Sequence, residues 1–473
     1  MLTIIGKIRY PEQTFGRIII KGNKVVELDD SHELPENSDV LELGEKVLIP
    51  ALTDCHVHFF QTGLYLGALN LGDMRIKAEL IQKLRSTDPT KNLIGEILWG
   101  YDYDPIDSMP TADELTDIFG DIPVVIRRAD GHSCSLSHAA MKLLPGRLRN
   151  ENGIYLGKSN ELVIEHLFTL LDEETLKDAA KKVSDFAVKA GALFVHALVP
   201  NIRWAKVLMA IEDSLPIKLT IFVETTDVAS VAELGLKQIG GCILLDGSFG
   251  SRTAALSKPY ADAPENRGIL YFLDDRLYQF FMDARAKGLR VAMHAIGDAA
   301  IEQYLRVAEK VSGGAPLHGW RIEHAELAHG ELLERIARLS LTLSVQPAFE
   351  ARWGGPNGMY AKRLGDRWRQ TNQFRRAREL GINLIGGSDS YITPIDPVGG
   401  IVAALAHPND EQKLEFSEAM EMFSDAPARW EGRKPPLRKG SEALGIILDS
   451  DFGETEKPKV MGVVRGERVE WVY

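Results

Sequence analysis

Cysteine is scarce in this chain: only Cys55, Cys134 and Cys242 occur in 473 residues. Three scattered thiols cannot build a disulfide framework. Long apolar runs are missing as well. None approaches the roughly 18 to 20 residues that span a bilayer, and the opening residues lack a basic leader and a cleavage site. A cytoplasmic location with no membrane partner is the expectation. Positive charge is in short supply: Lys and Arg number 55 against 67 Asp and Glu, a net charge of −12. That balance argues against nucleic acid or an anionic surface as the main target. Internal repeats and low-complexity segments are absent too, which leaves no repeat array to consider.

What is present is an ordinary globular composition, 45% hydrophobic and 26% charged. The length suits one barrel of about 250 to 400 residues with a smaller domain beside it. Residues 1–49 alternate like short strands, with a hairpin expected over 16–28 around Gly22-Asn23. The C-terminal residues 430–473 have the same texture, so both ends are expected to form one small β-sandwich domain. Between them, over 50–429, apolar strand-like runs alternate with amphipathic helical stretches, the pattern of βαβ units. Eight such runs fall at 51–58, 192–198, 218–224, 242–246, 289–294, 321–324, 341–346 and 382–389. The fold class is therefore read as α/β, a (β/α)8 TIM barrel. The gap at about 60–190 is too long for a loop and reads as an inserted subdomain with its own strand near 123–127.

Four of the eight runs end in residues that bind metals. The first finishes in His56-Val57-His58, and residues two apart on a strand share a face, so both imidazoles aim at one point. A lone His-x-His is a weak signal. Later runs finish in His294, His324 and Asp389, and the C-terminal strand ends of such a barrel share one mouth, where active sites sit. Four histidines and a carboxylate gathered there point to a divalent metal rather than to satisfied core histidines.

The chain also resembles the amidohydrolase superfamily, specifically the branch that contains N-substituted formamide deformylase-like proteins. The resemblance rests on Ile49-Pro50 through His58, Trp99-Gly100-Tyr101-Asp102, Arg127 through Ser133, Asp246 through Leu256, His294 through Asp298, Arg321 through Ala325, Ser344 through Pro347 and Gly387-Ser388-Asp389. It implies a metal-dependent hydrolase acting on a non-peptide C–N bond of a small molecule: an N-acyl, N-formyl or cyclic amide. It further implies that His56, His58 and Asp389 bind one cation, and that His294 and His324 bind a second or complete the first. Asp389 would be the general base and then the general acid.

One position departs from the family. A bridging lysine is expected four residues before Asp246-Gly247, and Cys242 stands there. Its thiolate could bridge two ions, or it could be a small buried hydrophobe beside a single ion. A mononuclear deaminase of heterocyclic bases and a non-catalytic barrel relative are the competing readings. Zinc is the expected metal, with manganese, iron or cobalt as alternatives, and a homodimer is the expected assembly. His132, Arg252 and Gln346 are candidate substrate contacts. Asp246 is expected to hydrogen-bond near the mouth, His196 to be a core residue or a partner of a ligand, and Cys55 to point into packing. Trp99, Tyr101 and Tyr103 are read as core or interface aromatics of the insertion.

Overall fold

The computed structural model describes all residues except 32, 130, 132, 454–456 and 473. Eight parallel strands carry the candidate residues. They are β1 (Leu52–His58), β2 (Ala192–Val199), β3 (Lys218–Val223), β4 (Gln238–Leu244), β5 (Arg290–Ala295), β6 (Arg321–His324), β7 (Thr342–Val345) and β8 (Asn383–Gly386). They lie in two sheets, ordered β3-β2-β1 and β4-β5-β6-β7-β8. Hydrogen bonds join the sheets at both seams. Asp389 N donates to His56 O (2.8 Å) and His58 N to Ser390 O (2.8 Å), while Gln238 Nε2 donates to Ile221 O (2.7 Å). Helices follow most strands, for example Asp298–Ser312 after β5 and Glu331–Arg338 after β6. Because both faces of such strands are covered, they are nearly continuous in Val, Ile, Leu and Ala and are buried throughout, as in β2.

The strands at the chain ends share one mixed sheet of seven strands. Its order is Arg468–Trp471, Val460–Arg465, Leu444–Leu448, Asp39–Pro50, Leu2–Arg9, Thr14–Lys21 and Lys24–Asp29. The sequence reading expects a sandwich of two sheets, and the structure has one curled sheet instead. Its last strand bends back onto the segment before Leu444, where Val25 N donates to Ser441 O (3.1 Å) and Ala443 N to Asn23 O (2.8 Å). The curl encloses one apolar core that includes Ile4, Ile8, Ile18, Ile20, Leu48, Ile447 and Val464. A single sheet can therefore bury its inner face without a second.

The chain divides into two compact units, Met1–His58 with Ser184–Tyr473, and Phe59–Val183. The second unit has its own six-stranded sheet, in which Val124–Arg128 pairs with Ile97–Tyr103 and Ser133–Leu136. Trp99 and Tyr103 are buried there, and Trp99 stacks on Phe168. Among the described residues, no helix is long and apolar enough to cross a membrane.

Candidate metal centre

The histidine and Asp389 candidates reach the site from the ends of strands or just beyond them. His56 and His58 close β1, with their rings 5.5 Å apart. Cys55, which precedes them, packs against Ile385 and Ala426. His294 lies at the end of β5 and His324 at the end of β6. The His324 ring sits 4.5 Å from that of His294 and 4.8 Å from that of His56. Asp389 follows β8. His324 and Asp389 hold left-handed backbone angles, φ 66° and 58°. That conformation is unfavourable for a residue with a side chain, and it breaks strand alternation so that both side chains turn over the mouth.

Cys242 owes its position to a local irregularity. In β4, Gly240 pairs with Ala292, but the next pairing is Leu244 with His294. Four residues therefore advance where the partner advances two. Gly240 and Gly241 have φ of 95° and 100°, and a Cβ on Gly240 would sit 2.0 Å from Ala292 O. Only glycine fits such a bulge. The bulge pushes Cys242 inward, leaving Sγ 3.6 Å from His294 Nδ1 and 3.8 Å from His324 Nε2.

The outer nitrogens of three imidazoles are committed to oxygen atoms. His56 Nδ1 donates to Glu323 Oε2 (2.7 Å), His324 Nδ1 to Gln346 Oε1 (2.8 Å), and His294 Nε2 to Gly247 O (3.1 Å). In its neutral form each ring then presents the lone pair of its opposite nitrogen to the centre. His58 Nδ1 faces Glu224 Oε1 at 3.6 Å. His56 Nε2 and His58 Nε2 lie 3.2 and 3.1 Å from Asp389 Oδ1. Yet His56 Nε2 and Asp389 Oδ1 are both buried without a hydrogen-bond partner. With the ring neutral and its proton on Nδ1, these are two acceptors pointed at each other, so the contact calls for a positive charge between them. That charge is a second ring proton, which burial opposes but Asp389 favours by raising the His56 pKa, or a metal cation in its place.

Electrostatics agree. Burial opposes ionisation of Asp389, but His56 and His58 outweigh it and hold the carboxyl well below the usual carboxylate range. Burial likewise disfavours the Cys242 thiolate, and the surrounding imidazoles, His294 first, overcome that and lower its pKa well below the ordinary thiol value. Burial also pushes His294 down, but the Cys242 thiolate and Asp246 raise it to about 9. Burial and the neighbouring His294 lower His324. Protons on some imidazoles balance the two anions, and a divalent cation would displace those protons and take over that balance. Among the described residues, three groups place ligand atoms within 4.8 Å of one another: His56, His58 and Asp389; His56, Cys242 and His324; and His58, Glu224 and Cys242. Imidazole, carboxylate and thiolate together suit zinc and its neighbours.

The remaining expected residues are placed differently. Arg252 forms a two-bonded ion pair with Asp262 (3.0 and 2.9 Å), which ties down the loop after β4. Gln346 is committed to His324, so it orients a candidate ligand. Asp246 accepts from Ala255 N, Ile296 N and Gly297 N at 2.8 to 2.9 Å, clasping the loops after β4 and β5. His196 is buried between Arg321 and Glu431. His132 lies outside the described residues.

Glu224, Arg321 and Glu323 escape the sequence reading. A signal for two of them was available. Arg321 and Glu323 sit two apart in a strand that should be apolar on both faces, and buried charges that survive there must be paired.

The model of the amidohydrolase family matches residues 39–470. The chain belongs to the amidohydrolase family. A Bacillus subtilis (strain 168) protein named as an amidohydrolase, YtcJ, is 27% identical over 92% of this chain and 89% of its own length. The N-substituted formamide deformylase of Arthrobacter pascens is 24% identical over 42% of this chain and 41% of its own. An uncharacterized metal-dependent hydrolase of Pyrococcus horikoshii OT3 superposes with a TM-score of 0.82 at 27% identity, covering 96% of this chain and 98% of that one. This amidohydrolase gathers four strand-end histidines and a carboxylate at one candidate metal centre.

Proposed function

We propose that the chain hydrolyses a non-peptide C–N bond of a small molecule, an N-acyl, N-formyl or cyclic amide. The observation that carries this reading is the pair of facing acceptors, His56 Nε2 and Asp389 Oδ1, buried and unpartnered. The likeness to a formamide deformylase supports the choice of bond.

In this reading the eight strands close as a (β/α)8 barrel, with 1–49 and 430–473 as a small β domain and the insertion after β1. His56, His58 and Asp389 hold one cation. His294 and His324 hold a second together with Cys242, and zinc is the favoured metal because a thiolate is in the set. A bound divalent cation there lowers the pKa of water toward neutrality and polarises a carbonyl. Asp389 is kept ionised by its imidazoles, so its carboxylate can accept a proton from the attacking water and deliver it to the leaving nitrogen. Gln346 accepts the proton on the outer nitrogen of His324.

The test is removal of metal with a chelator, followed by reconstitution with zinc, manganese or cobalt. Turnover is assayed on a panel of N-formyl, N-acyl and cyclic amides. Amine release that depends on added metal is expected. Turnover in metal-free protein, or ammonia release from heterocyclic bases alone, would contradict the reading.

A further inference from the structure

Beneath the metal centre runs a chain of buried polar groups that the proposed hydrolysis does not itself use. Glu323 accepts from His56 Nδ1 through Oε2 and is ion-paired through Oε1 with Arg321 Nε. Arg321 Nη1 donates to His196 Nδ1 (2.7 Å) and Nη2 to Cys55 O (3.2 Å). Its guanidinium lies 4.1 Å from the Phe222 ring centroid and 5.1 Å from that of Trp430. His196 Nε2 donates to Glu431 Oε1 (2.9 Å), and Glu431 is ion-paired with Arg433. Arg433 Nη2 reaches Thr53 Oγ1 (3.2 Å), back on β1.

Arg321, Glu323 and His196 are fully buried, and their polar atoms can be assigned in only one consistent way. Two carboxylates are balanced by two guanidinium groups, so the network is neutral when His196 is neutral. Arg321 has no acceptor atoms. His196 Nδ1 must therefore accept, and its proton sits on Nε2 toward Glu431. Arg321, held in place by its donors and by two aromatic faces, fixes the Glu323 carboxylate. Glu323 has no proton to give, so His56 must be the donor.

We propose that Glu323 is a positioning residue that fixes His56 in its Nδ1-protonated form and presents the Nε2 lone pair to the metal, with Arg321, His196 and Glu431 holding Glu323 in place. The inference rests on the metal-centre reading for its consequence, but the proton position on His56 is a property of the metal-free protein. A carboxylate behind an imidazole ligand also raises its basicity, and losing such a partner typically weakens metal binding by about 10- to 100-fold.

The test uses full-length protein with ring-nitrogen-labelled histidine, the His56 signals being assigned by their absence in His56→Asn. In metal-free wild type, ring nitrogen shifts should report a proton on Nδ1, alone or with a second proton on Nε2; a ring protonated on Nε2 alone overturns the proposal. In Glu323→Gln, the thermal midpoint of the metal-free protein should fall, because the buried Arg321 loses its carboxylate, and zinc affinity measured by chelator competition well below that midpoint, on folded protein, should fall by about 10- to 100-fold. Zinc affinity within twofold of wild type overturns the proposal, as does a loss that merely tracks unfolding. If Glu323→Gln does not fold, the wild-type proton position still decides. A wild type that binds no divalent cation would sink the hydrolase reading and leave the His56 measurement standing.

Discussion

At the residue scale, the ligand candidates were readable because each finishes an apolar run, and a titratable side chain at that place has little structural reason to be there. Partners of those residues were harder to read. Glu323 looks like one more strand residue next to His324, and nothing in the sequence shows that the left-handed turn at His324 lets both neighbours serve one site. Cys242 was visible only as a departure from a family pattern. If its thiolate is a ligand, cobalt-loaded wild type should absorb in the near ultraviolet through sulfur-to-cobalt charge transfer. Cys242→Ala should lose that band and bind fewer ions per chain. An absent band in active, cobalt-loaded wild type would contradict the assignment.

His196 yields a prediction of a different kind. Burial, outweighing Glu431, lowers its pKa to about 4, below the ordinary histidine value of about 6.5. As pH falls through 6.5 the unfolded chain takes up a proton that the folded chain refuses until about pH 4, so stability falls with pH across that window. The loss reaches about 3 kcal/mol at most. Burial pushes Glu431 up, but His196 and Arg433 hold it down to about 2. This depressed carboxylate stabilises the fold above its unfolded pKa, and that contribution is lost as pH falls from about 4.5 toward 2. His196→Gln keeps a donor for Glu431 and an acceptor for Arg321. Urea unfolding at pH 7 and pH 5 should show a smaller stability difference in that variant than in wild type; an unchanged difference would contradict the account.

At the scale of elements, the expected runs overlap the observed strands closely at β1, β2, β3 and β6, because apolar continuity and strand-end polarity coincide there. The fourth run was placed at 242–246, whereas β4 is Gln238–Leu244. Gly240-Gly241 reads as a break in sequence but is a bulge inside the strand. The bulge aims Cys242, so its loss should be felt twice. Gly240→Ala should cost about 3 kcal/mol or more, given a Cβ against a strand carbonyl and a left-handed backbone. Denaturant unfolding checks this, and metal content should fall with it. A variant of wild-type stability and full metal content would show that the bulge is dispensable.

At the scale of the whole molecule, the alternation of strands and helices was legible because both faces of each strand are covered. The curl of the terminal sheet was not. It depends on hydrogen bonds between Asn23-Val25 and Ser441-Ala443, residues more than 400 positions apart, and no local pattern encodes that closure. His56 and Asp389 are also far apart in the chain, yet their meeting could be inferred, because a repeating strand-helix unit brings successive strand ends to one mouth.

The central claim is that this mouth holds a catalytic cation. It is tested most directly by measuring metal content and amide turnover together in wild type and in the double variant His56→Ala, His58→Ala. The account predicts that the folded double variant loses bound metal and turnover together. Turnover that persists in folded, metal-free double variant would contradict it.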